Sequence, residues 1–124
     1  MNAHAYARQC YASSAQAVKT PRNIEFTILA RVTKNLQANA RKRKTDFPNF
    51  VKALEQNRQL WAIFANDLAD TGNQLSPELK QNLIELADFT HRHSMRVLTE
   101  KASVKPLLEI NASVLRGLQD GAKT

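Results

Sequence analysis

Cysteine, glycine, proline and aromatic side chains are all scarce in this chain of 124 residues. Cys10 is the only cysteine, so no internal disulfide can form, and the usage fits a reducing compartment. Three glycines and four prolines are too few to turn the many short strands of a sheet protein. No stretch approaches the ~18 consecutive apolar residues of a membrane span. The opening Met1–Arg8 segment lacks the apolar run of a signal peptide, so a cytoplasmic protein is expected. No internal repeat and no low-complexity tract occurs.

What is present favours helix. Long runs rich in Ala, Leu, Gln, Lys, Arg and Glu have high helix propensity. A chain of this length makes one domain, large enough to bury roughly two-thirds of its unfolded surface without a metal or a cross-link. The expected class is all-α: a compact antiparallel bundle of four helices spanning about 21–43, 47–70, 77–101 and 104–119. A mobile tail, 1–19, precedes the single domain, 20–120.

The helix starts are written locally. Thr20-Pro21, Thr45-Asp46 with Pro48, Ser76-Pro77-Glu78, and Ser103 with Pro106 each pair a capping side chain with an early proline. The first stripe is Ile24, Ile28, Leu29, Val32 and Leu36. The second is Phe47, Phe50, Val51, Leu54, Trp61, Ala65 and Leu68. The third is Leu79, Leu83, Leu86, Ala87, Val97 and Leu98. The fourth is Leu107, Leu108, Ile110, Val114, Leu115 and Leu118. Asp70-Thr71-Gly72-Asn73 and Asp120-Gly121 read as stops. Short connections between helices of similar length imply antiparallel neighbours.

Several polar residues interrupt these stripes: Glu25, Asn57, Arg58, Thr90, His93, Ser94 and Asn111. A buried polar group without a partner costs on the order of 1–3 kcal/mol, and a buried charge costs more. Glu25, Asn57, Arg58 and Asn111 are therefore read as a structural polar network that fixes helix register. Glu25 and Arg58 are expected to pair between the first two helices.

Nothing in the set makes a nucleophile–base pair, and there is no Gly-rich phosphate loop or nucleophile elbow. His91 and His93, two residues apart, point to different sides of a helix, unlike the i, i+4 pair of a zinc helix. No catalytic residue, metal ligand or cofactor is expected. The chain reads as a protein that acts by binding another macromolecule.

Two surface features compete as contact sites. Leu60 and Ile63, with Phe64 at the stripe's edge, fall outside the core face of the second helix, and Ile84 and Met95 fall outside that of the third. Such second stripes form a groove for a partner's amphipathic helix, or they are covered by another part of the same chain. The charge is also uneven. Residues 1–44 hold nine Lys/Arg against one acid, whereas residues 45–124 hold nine against ten. Arg41-Lys42-Arg43-Lys44 is the densest point, fit either to meet nucleic acid or an acidic protein surface, or to serve as the solvated end of a helix.

Taken in order, Thr20-Pro21-Arg22-Asn23-Ile24-Glu25, Asn57-Arg58-Gln59-Leu60-Trp61, Asp67-Leu68, Asn73 to Leu79, Asp88-Phe89-Thr90, Pro106 to Asn111 and Gly117-Leu118 resemble the alphaproteobacterial FlaF family of flagellar biosynthesis regulators. The resemblance runs from about Tyr6 to Leu118. The chain departs from it at Leu75-Ser76-Pro77, where the family often places proline directly after leucine, and in the strongly basic Arg41–Lys44 run. The resemblance implies an export chaperone that binds newly made flagellin by its amphipathic terminal helices and acts alongside an FlbT-like regulator. The competing expectation is a post-transcriptional regulator of flagellin synthesis, binding RNA or an FlbT-like partner through the basic first third. RNA is not expected to be the principal ligand, because single strands are usually held by exposed aromatic side chains and most of the eight here fall on core faces.

Overall fold

The computed structural model describes the backbone of residues 21–70 and 75–122, and the side chains of residues 26–70 and 75–118. Within them are four helices: α1 (Pro21–Ala40), α2 (Phe47–Ala69), α3 (Pro77–Glu100) and α4 (Lys105–Ala122). No strand occurs among the described residues. The all-α bundle expected from the sequence is the observed fold. The tail, 1–19, lies outside the described residues, as does the side chain of Glu25.

The start signals act locally, as expected. The Asp46 carboxylate accepts from Asn49 N–H at 3.4 Å to open α2, and Ser76 Oγ accepts from Leu79 N–H at 3.2 Å to open α3. Lys105 N–H donates to Ser103 Oγ at 3.0 Å before α4. The helix ends differ more. α1 stops at Ala40, not near residue 43, because residues 41–45 tighten into successive turns, with Arg43 N–H donating to Ala40 O and Thr45 N–H to Lys42 O. α4 runs through Asp120-Gly121 to Ala122; nothing crowds the helix at Gly117.

The helices pack as a square, α1–α2–α3–α4, that is open on one side. α2 packs on α1 and on α3, and α4 packs on α1, while the α3–α4 side is in contact over only a short length. A tight core of Leu36, Phe50, Ala53, Leu54, Val97 and Leu107 fills the end where the 41–46 and 101–104 connections meet. α3 turns a largely polar face inward: Ala87, Thr90, His93, Ser94 and Val97. Leu79 and Leu98, expected on its buried side, are exposed at the helix ends, and Phe47 is exposed at the start of α2.

Candidate functional site

The interior is held by a polar node. Trp61, at 1% exposure, donates its indole N–H to Asn111 Oδ1 at 2.9 Å. Asn111 Nδ2 donates in turn to Asn57 Oδ1 at 2.8 Å and to Thr33 Oγ1 at 3.0 Å. The Thr33 hydroxyl donates to Leu29 O, one turn back on α1. One amide from α4 thereby ties α1 and α2 together across the bundle. Trp61 also meets Phe64 edge-on at 5.7 Å. Asn57 and Asn111, both expected on buried faces, are fully buried in this node. A second polar group lies beneath α3. His93 Nε2–H donates to Ser103 O at 2.7 Å, its ring stacks on Phe89, and Ser94 Oγ donates to Thr90 O.

Arg58 is not part of that interior. Its side chain is 28% exposed and forms a two-point ion pair with Glu55, three residues earlier on α2. It also reaches His91 Nδ1 on α3 at 3.4 Å. Arg58 thus meets a local partner already within reach, while the side chain of Glu25, its expected partner, lies outside the described residues. The guanidinium hydrogen bond holds the Glu55 carboxyl below the ordinary glutamate range, against the opposing effect of its partial burial.

The expected groove between α2 and α3 is not formed. Leu60 and Ile63 are buried. They follow Gln56 by four and seven residues, and the Gln56 amide accepts from Asn35 of α1, so their side of α2 faces α1. Ile84 and Met95 are exposed, and His91 between them bonds Arg58, so that stripe lies on the α2 flank of α3. The two stripes turn away from each other. Phe64 is half-buried against Trp61.

An apolar cleft opens instead on the opposite flank of α3, where α3 and α4 diverge. It measures about 300 Å³ and is lined by Leu86 and Phe89 of α3 and by Pro106, Glu109, Ile110 and Ser113 of α4. The sequence carried half the signal for it, since Leu86 and Ile110 sit on core stripes; their incomplete burial follows from the open side of the square.

The basic run divides in the same way. Arg43 is half-buried, and its guanidinium donates to Val97 O at 2.7 Å and Ala102 O at 2.9 Å while lying 4.9 Å above the Phe50 ring. It caps the carbonyl end of α3 and is not a free contact residue. Arg41, Lys42 and Lys44 are exposed, and their side chains meet no hydrogen-bond or ion-pair partner among the described residues.

The family model for flagellar protein FlaF matches residues 7–118. No curated protein and no solved structure matches the chain. The family match takes in all of α1, α2 and α3 and most of α4, including the residues of the polar node and of the cleft. The chain belongs to the FlaF family of flagellar proteins.

Proposed function

We propose that this protein binds flagellin and acts as an export chaperone and regulator needed for flagellin production and secretion during flagellum assembly. It works by binding, without catalysis, and acts in the cytoplasm before export. Membership of the FlaF family supports a flagellar role. The observation that carries the finer reading is the apolar cleft between α3 and α4, a side of the helical square that no other described residue fills. An amphipathic helix laid there completes the square, with its apolar face on Leu86, Phe89 and Ile110. Flagellin's terminal segments have that character, and covering them prevents polymerisation ahead of export. An FlbT-like regulator is the further partner that the family resemblance implies. No described helix is long and apolar enough to cross a membrane.

Size-exclusion chromatography with full-length flagellin at micromolar concentration is the test. Co-elution is expected, and it should be lost when the flagellin terminal helices are removed. Ser113→Arg sets a charge in the cleft from an exposed position and should abolish co-elution. Ile84→Ser with Met95→Ser, on the other flank of α3, should preserve it. Separate elution of the unmodified pair would sink the chaperone reading.

A further inference from the structure

Folding brings a distant lysine, Lys101, to the end of the bundle that holds the basic run of residues 41–44. The Arg43 bonds to Val97 O and Ala102 O bring the 41–46 turn against the α3–α4 connection. Arg41, Lys42, Lys44 and Lys101 therefore share one end of the bundle, all exposed. None of these four side chains has a hydrogen-bond or ion-pair partner among the described residues, and Lys105 adds a loose pairing to Glu109 at 3.9 Å. The acids nearby are already engaged. Asp46 is held by Asn49 at the start of α2, and Glu100 is paired with Arg96.

Cations at helix ends have a structural use against terminal carbonyls, but Arg43 alone fills that role for α3. Lys101 adopts the left-handed conformation with φ of 58°, a helix-terminating position that favours glycine. A lysine there keeps a charge at this end at the expense of backbone comfort. Beside the cations stands Phe47, 46% exposed, with its ring 6.0 Å from that of Phe50. An exposed aromatic face amid unpaired cations matches single-stranded nucleic acid, which offers phosphates to the charges and a base to the ring. An acidic polypeptide would meet the charges but would leave Phe47 without a purpose.

We propose that this end of the bundle binds single-stranded nucleic acid, with Arg41, Lys42, Lys44 and Lys101 on successive phosphates and a base stacked on Phe47. The site lies on different residues from the α3–α4 cleft and does not depend on the flagellin reading.

Fluorescence polarisation of the full chain with a fluorescein-labelled 12-nucleotide single-stranded RNA tests this, with DNA of the same sequence as a parallel arm to identify the source. Three or four phosphate contacts give a slope of log K against log salt of about −2 to −3, so affinity should fall about 15- to 60-fold between 50 and 200 mM salt. Arg41→Ala, Lys42→Ala and Lys44→Ala together should weaken binding at least tenfold and flatten the slope. Phe47→Ala should cost about fivefold or more. Lys101→Gly should weaken binding two- to threefold while raising the melting temperature, so its effect cannot be ascribed to unfolding. Lys34→Ala with Arg116→Ala, cations outside the site, should leave affinity within twofold. Absence of binding at 50 mM salt, equal losses in this last variant, or equal competition by polyglutamate of matched charge would each overturn the proposal.

Discussion

Replacing Asn111 by leucine keeps its branched outline but strips partners from three groups at once. The Trp61 indole N–H, Asn57 Oδ1 and the Thr33 hydroxyl all lose the amide they meet. Each buried polar group left unpaired costs on the order of 1–3 kcal/mol. Asn111→Leu should therefore destabilise the fold by about 2–4 kcal/mol in urea unfolding, even though it makes the interior more apolar. Trp61→Ala should cost ~3–5 kcal/mol as a large-to-small change at a fully buried site. A Trp61→Ala variant of unchanged stability that no longer binds flagellin would move Trp61 from core to interface. Glu55 and Arg58 behave differently because water reaches both. Arg58→Ala should cost only about 0–1 kcal/mol, the range for an exposed ion pair. The folded-state pKa of Glu55 is depressed, so the pair's contribution is present above the unfolded carboxyl value of about 4.3 and is lost as pH falls through the lower folded value. Urea midpoints of the parent and Glu55→Gln should accordingly differ at pH 7 and draw together as pH falls below the unfolded value.

At the scale of the helix, the link between the 41–45 turn and the end of α3 has the clearest consequence. Arg43→Ala removes two charge-assisted hydrogen bonds and a contact over Phe50, and should lower stability by about 1–3 kcal/mol. Arg43→Lys should recover less than half of this, because one ammonium does not reproduce the planar fork that spans Val97 O and Ala102 O. Arg41→Ala and Lys42→Ala should fall within ~0.5 kcal/mol of the parent. Thermal melts of the four variants separate the roles. The same turn shows where sequence reading stops. Helix starts were legible because a cap and its proline are neighbours in the chain. The stop at Ala40 was not, because Arg43 is drawn to carbonyls 54 and 59 residues away. Periodicity identified Asn57 and Asn111 as polar residues on apolar faces, which needed only the angle around one axis. It misplaced the groove because which neighbour a flank meets depends on how two helices are rotated against each other. Leu60 and Ile63 met α1, and the opening appeared on the far flank of α3.

For the whole molecule, the open side of the square sets where the structure is weakest. The first ten residues of α3, Pro77 to Leu86, include no buried side chain, whereas Ala87 to Val97 carry five. Amide hydrogen exchange should show the first segment opening well below the global unfolding free energy and the second protected close to it. On the proposed function, bound flagellin should raise protection along the cleft side of both α3 and α4, and uniform protection of α3 in the free chain would contradict this division. The node at Asn111 has a further consequence, for synthesis. α4 is translated after the other three described helices, yet its amide is what meets Trp61 and Asn57, residues made 50 and 54 positions earlier. Until α4 emerges from the ribosome, the Trp61 indole N–H and Asn57 Oδ1 lack the hydrogen-bond partner that Asn111 supplies. A nascent chain halted between α3 and α4 should stay loosely packed and sensitive to protease, and consolidation should come late, once translation has delivered Asn111.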